Sequence, residues 1–170
     1  MKEENNFTYE EEDFDDMAQV DGDQYVTFSI ADEEYGIEIL QVQEIISYKG
    51  FTKIPNLSSY IKGVLNLRGA AVPAIDMRAK FNLTEKTYDK YTVIIITVVK
   101  GKTMGMVVDA ISDVVIFNKN DIKPAPDFSS KIKSKFIKGM GNRDKKFIIL
   151  LDIDKILSDE EIAEVESLKD

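Results

Sequence analysis

Ile61-Lys62-Gly63-Val64-Leu65-Asn66 returns later in the chain as Ile137-Lys138-Gly139-Met140-Gly141-Asn142, and Asp76 and Asp152 follow Gly63 and Gly139 at the same distance of 13 residues. Chance seldom places five identities in one short block, so the pattern marks an internal duplication. Upstream, Gly36 and Gly105 anchor a second matching block. An apolar residue follows each by six positions (Val42, Ile111) and an acid by eight (Glu44, Asp113). Two copies are too few for a solenoid. They fit two similar small units packed face to face about a pseudo-two-fold axis, with a groove between them.

Outward from these blocks the texture is β. Tyr25, Thr27 and Ser29 alternate with Val26, Phe28 and Ile30, a polar turn follows at 31–34, and residues 35–46 resume as one longer strand. The second copy repeats this with a strand at 92–99, a turn at 100–102 and a strand at 104–117. The near-continuous apolar run of 92–99 suits burial on both faces. Residues 57–61 and 128–136 follow prolines and read as connecting loops. Closing hairpins are expected around Gly69 and around Arg143-Asp144-Lys145. Five short strands per unit predict a mainly β protein of two pseudo-symmetric five-stranded barrels. Pro73 would delete a ladder hydrogen bond, which places its strand at an edge or bulge. Short helices are expected at 77–81, at 154–157 and at 158–168, where Ser158 with Glu161 forms a capping-box pattern and Ile162, Val165 and Leu168 make one apolar stripe.

Composition narrows the chemistry. With 170 residues, 44% of them apolar, the chain can bury a sizeable core. Its net charge of −9 comes from the start: residues 1–23 hold ten acids against Lys2, leaving 21 acids and 21 bases from totals of 31 and 22. Residues 1–23 therefore read as a solvated acidic arm, and Phe14 and Met17 have the spacing of one helical face. A charge-balanced body has no basic stripe for phosphates, so nucleic acid and anionic membrane are not expected partners. Cysteine and histidine are absent. That removes disulfides, thiolate chemistry, the commonest general base and the commonest transition-metal ligand. No metal or cofactor site is expected. The apolar run near 93–99 falls far short of the ~20 residues that span a bilayer, and the acidic N-terminus is unlike a signal peptide, so a cytoplasmic protein without membrane insertion is expected.

The most distinctive chemistry lies in Asn66-Leu67-Arg68-Gly69 with Val72-Pro73 and Asp76. Gly69 lets the backbone take a positive φ, in a turn that holds the Arg68 guanidinium for a bidentate contact with a carboxylate. Glu44 is the expected partner. Removing Arg68 is then expected to strand a partly buried carboxylate. In the second copy Arg143 sits one residue earlier, so a matching pair with Asp113 is not expected. Ile39, Val42 and Ile111 are candidates for a binding groove, Val42 and Ile111 facing each other across the pseudo-axis, although strand apolar residues are usually core. A carboxylate enzyme built on Glu44 or Asp76 would need paired acids in a pocket, which the spacing does not supply.

These motifs resemble the CheW-like adaptor family of bacterial chemotaxis. The resemblance rests on Asn66-Leu67-Arg68-Gly69, Val72-Pro73 and Asp76, on Gly105-Met106-Val107-Val108-Asp109 followed by Val114, on Ile137-Lys138-Gly139, and on the stretch from Leu150 to Leu157. It implies SH3-like barrels sharing a core, and a scaffold rather than a catalyst. The expected division is an acidic arm at 1–23, a CheW-like domain at 24–157 made of barrels near 24–83 and 91–157, with intertwining left open, and a C-terminal helix at 158–170. The implied partners are the regulatory domain of the histidine kinase CheA, at the barrel ends, and the cytoplasmic tip of methyl-accepting chemoreceptors. The receptor's helical hairpin is expected in the groove, near Val26, Ile39, Val42 and Ile111. A CheV-like adaptor would add a receiver domain, for which a chain ending at Asp170 has no room. An SH3-like or OB-like module for another ligand is the alternative outside the family.

Overall fold

Alternating β-branched residues and tight polar turns produce eleven strands in the computed structural model, which describes residues 22–124 and 134–168. They are β1 (Asp23–Ile30), β2 (Glu33–Glu38), β3 (Val42–Ser47), β4 (Ile61–Leu67), β5 (Ala70–Asp76), β6 (Val93–Val99), β7 (Lys102–Val108), β8 (Ala110–Phe117), β9 (Ile122–Lys123), β10 (Ile137–Arg143) and β11 (Lys146–Leu151). Two helices follow the closing hairpins, α1 (Met77–Lys80) and α2 (Asp159–Ser167). The expected acidic arm lies outside the described residues except for its end, where Asp23 already opens β1.

The sheets do not divide at one point in the chain. One has the order β3-β6-β7-β5-β4, the other β8-β1-β2-β11-β10-β9. Replacing β3, β6, β7, β5 and β4 by β8, β1, β2, β11 and β10 converts the first order into the second, so the repeats share one topology while exchanging their first hairpins. The duplication extends to the irregularities. Val42 pairs with Thr97 and Glu44 with Ile96, skipping Gln43; Ile111 pairs with Phe28 and Asp113 with Thr27, skipping Ser112. Likewise Gly63 pairs with Ala74 after a bulge at Lys62, and Gly139 with Leu150 after one at Lys138. The Asp76 and Asp152 N–H groups donate to the Tyr60 and Phe136 carbonyls at 2.8 and 2.9 Å.

The shared glycine now has a cause. An extra strand segment crosses each bulge, at Thr52 in the first barrel and at Lys123 in the second. A Cβ on Gly63, whose φ is +143°, would collide with the Thr52 carbonyl, and one on Gly139 would stand 3.0 Å from the Lys123 carbonyl oxygen.

Three apolar clusters follow from the curling of the sheets. Leu65, Val72, Ala74, Ile94, Ile96 and Val107, joined by Ile46 and Leu67, come from all five strands of the first sheet, its two edges included. Tyr25, Val115, Phe117, Ile148 and Leu150 fill the second. Between the sheets, Phe28, Ile30, Tyr35 and Ile37 meet Ile75, Ile95, Met104 and Met106 in a common core. Burial on this scale, roughly 1.5–3 kcal/mol per large side chain, is the main stabilising term.

Three expectations need correction. The long strands at 35–46 and 104–117 are each broken, by a 3-10 turn at Ile39–Gln41 and by Asp109, because at those points the chain crosses from one sheet to the other. Pro73 lies in an interior strand, not at an edge. Its partner Val64 turns its own N–H toward Thr52, which makes the Val64–Pro73 pair a non-hydrogen-bonded one. The parallel ladder with β7 begins only at Ala74, so the missing donor faces no acceptor. Residues 153–155 form a 3-10 turn where a short helix was expected at 154–157.

The remaining helices form for the expected reasons. Asp76 caps α1 by accepting from the Arg78 and Ala79 N–H groups, and Ser158 and Glu161 form the reciprocal box at α2. Ile162 and Val165 are buried, and Leu168 packs on the common core. The polar side of α2 is anchored too. Glu161 accepts from the Lys80 amine at 2.6 Å, and Glu164 accepts from the Ser58 N–H and hydroxyl. Burial pushes the Glu161 carboxyl up, but the hydrogen bonds from Lys80, the Ser158 N–H and Tyr60 outweigh it and bring the group down to about 2. A depressed carboxylate stabilises the fold above its ordinary value of 4.5, and that contribution is lost as pH falls through 4.5 toward 2. Denaturation of the wild type and Glu161→Gln is therefore expected to differ by about 2–3 kcal/mol at pH 6, with the gap closing near pH 2. A gap independent of pH would contradict it.

Candidate functional site

The β4–β5 hairpin closes through Arg68 and Gly69, with φ of +50° and +86°, the paired positive values of a type I′ connection. Asn66 holds this turn by accepting the Gly69 N–H on Oδ1 at 2.8 Å, and Leu67 anchors it in the first barrel. Arg68 thereby reaches Glu44 on β3, the opposite edge of the same sheet. Nη2 donates to Oε1 at 2.6 Å and Nη1 to Oε2 at 3.3 Å. The hydrogen bond from Arg68 holds the Glu44 carboxyl below its ordinary range. The pair is thus a clasp across the mouth of the first barrel. It is not the buried one expected: the Arg68 side chain is 74% exposed and that of Glu44 30%. Arg68→Ala is accordingly expected to leave the thermal midpoint close to wild type, because exposed ion pairs contribute little. A marked drop in the midpoint would show that the clasp braces the barrel. In the second repeat the position of Arg68 is taken by Asp144, and no Asp113–Arg143 ion pair forms among the described residues.

The apolar candidates separate by register. Along β3, Val42 and Ile45 pair with Thr97 and Ile95, on the face turned to the common core. Along β8, Ile111, Val114 and Ile116 pair with Phe28, Val26 and Gln24, on the corresponding face. Both are edge strands, and the turn 39–41 that leads into β3 lies against β1, the neighbour of β8. Val26 is 3% exposed, beneath Val114, and supports the face without presenting it. Ile39 and Val42 are half-buried, and Val42 packs on the common core. Ile111 is exposed, so the two equivalent positions differ in environment. The residues presented most openly were missed: Leu40 at 95%, Val114 at 47%, Ile45 at 40% and Ile116 at 38%. Ile45 and Val114 are themselves related by the offset that relates Val42 to Ile111, and that offset was the signal available.

Two open clefts of about 500 and 720 Å³ flank Phe51 at the end of the first barrel, one lined by Tyr48, Tyr88 and Asp76, the other by Ile46, Val64 and Leu65. Asp76 is fully engaged there. Its Oδ1 caps α1, and its Oδ2 accepts the Tyr88 hydroxyl at 2.5 Å. A carboxylate so committed is a structural group. No cluster of three acids suited to a metal occurs among the described residues.

The family model described as the CheW-like domain matches residues 24–161. The chain belongs to the CheW-like family. Chemotaxis protein CheW of Klebsiella aerogenes is 42% identical over 147 residues, covering 86% of this chain and 89% of that one. Chemotaxis protein CheW of Rhizobium meliloti is 32% identical, covering 82% and 90%. The crystal structure of the scaffolding protein TtCheW from Thermoanaerobacter tengcongensis superposes with a TM-score of 0.76 at 32% identity, over 82% of this chain and 90% of that one. The CheW-like fold is thus the mainly β, two-sheet architecture described above. The protein is a non-catalytic chemotaxis adaptor. No helix among the described residues is long and apolar enough to cross a membrane.

Proposed function

We propose that the protein couples the cytoplasmic tip of transmembrane chemoreceptors to the regulatory domain of the histidine kinase CheA. It does so by holding both at once, as a cytoplasmic scaffold recruited to membrane receptor arrays. The observation that carries this reading is the apolar face on the edge strands β3 and β8, exposed at positions the duplication makes equivalent. Exposed apolar rows of this kind suit the apolar stripe of a partner helix. The Glu44–Arg68 clasp borders β3 and supplies a polar rim, which sets orientation more than affinity. The barrel ends, with their open clefts, are free for the kinase domain. A balanced body charge gives nucleic acid no comparable surface.

The test is a pull-down of the purified chain with a CheA regulatory domain and a receptor-tip hairpin, separately and together. Capture of each alone, and of a ternary complex when both are present, is expected. Mutually exclusive binding would remove the coupling role, and binding of neither would reopen the alternative of an SH3-like module for another ligand.

A further inference from the structure

Residues 1–21 precede the described body, and the place where they join it bears on the apolar face. Gly22 lies so close to β8 that a Cβ there would stand 2.8 Å from the Phe117 carbonyl oxygen and 3.0 Å from Ile116 Cγ2. Asp23 then pairs with Phe117. The acidic arm therefore leaves the body beside Ile116, the end of the exposed row Ile111, Val114 and Ile116.

The arm carries apolar groups near that point. Phe14, Met17 and Val20 recur at intervals of three among Asp13, Asp15, Asp16 and Asp21, so a helical turn would gather them on one side with the acids on the other. Reach is sufficient in either backbone state. Gly22 to Phe14 spans about 12 Å as helix or about 27 Å extended, whereas Ile116 to Ile111 along a strand is about 17 Å.

We propose that residues 14–20 dock on the exposed face of β8 through Phe14, Met17 and Val20, covering Val114 and Ile116. The occupant is the chain's own arm because it is tethered at the end of the row, which gives it a high effective concentration there. Where that face is the receptor site, as proposed above, the docked arm competes with the receptor helix; that consequence rests on the receptor reading, but the docking does not.

The absence of cysteine makes the test clean. Glu12→Cys in the full chain takes a single nitroxide, and methyl NMR then reads its proximity. Selective broadening of the Ile116, Val114 and Ile111 methyls is expected, with Val64 on the far sheet spared. Adding Phe14→Ser and Met17→Ser is expected to return those three signals to the level at Val64. Broadening that is uniform, or indifferent to the double substitution, would overturn the docking. So would equal broadening in a mixture of nitroxide-bearing and isotope-labelled tag-free chains, which would make the occupant a second copy. The receptor-tip hairpin supplies the separate arm: release of the face should raise its affinity about three- to tenfold, by the fraction of time the arm occupies it. Docking that depends on Phe14 and Met17 without any change in that affinity would keep the docking and overturn the receptor reading of the face.

Discussion

Asp109→Ala is expected to lower the unfolding free energy by about 3–5 kcal/mol, the usual result of leaving one member of a buried ion pair without its partner. Asp109 occupies the crossing from β7 in one sheet to β8 in the other. The Arg78 guanidinium grips it twice, Nη2 donating to Oδ2 at 2.6 Å and Nε to Oδ1 at 2.9 Å, and the Ala31 N–H from the β1–β2 turn donates to Oδ2 at 2.8 Å. The side chains of Arg78 and Asp109 are only 17% and 13% exposed. One carboxylate thus ties α1, the crossover and a hairpin of the other sheet. Its loss leaves a cation with only the Thr84 carbonyl and an N–H with nothing. Denaturation of Asp109→Ala beside Arg68→Ala sets a buried clamp against an exposed clasp. Equal stability of the two variants would show that the crossover does not depend on this clamp. The equivalent crossing in the first repeat holds Leu40, almost fully exposed, so the two halves are braced unequally.

What could be read in advance, and what could not, divides along the range of the interactions. The repeat offsets predicted equivalent bulges, hairpins and aspartates without any view of the fold, because local register is written in local spacing. The breaks at 39–41 and at Asp109 left no such trace. A chain changes sheets where tertiary packing requires it, and β-branched residues continue on both sides. Pro73 misled for a related reason: its missing donor is harmless only because the β7 ladder begins one residue later. The Arg78–Asp109 clamp joins residues 31 apart in sequence, and nothing local announces it. Around Arg68 the turn was legible from Gly69 and the pairing with Glu44 from charge. The positive φ of Arg68 itself was not, since only its neighbour is a glycine. At the groove, spacing named Val42 and Ile111, but exposure selects Val114 and Ile45, and exposure depends on which strands end up at sheet edges.

Val114→Glu is therefore the sharper probe of the groove than Val42→Glu. Val42 packs on the common core, so a carboxylate there would disturb the fold and every partner together. Val114 is nearly half exposed on an edge strand, and a surface substitution of that kind usually moves stability by no more than about 0.5 kcal/mol. Against an apolar receptor helix, the same carboxylate meets an uncompensated desolvation cost at the centre of the contact. A loss of about 100-fold in receptor-tip affinity is expected, the size of a hot-spot truncation. Affinity for the CheA regulatory domain should be unchanged, because the barrel ends lie apart from this face. Titration calorimetry with each partner, beside a thermal melt, separates the outcomes: loss of both partners with a lowered melt would mean a damaged fold, whereas a folded Val114→Glu protein that holds the receptor tip at wild-type affinity would place the receptor elsewhere on the molecule.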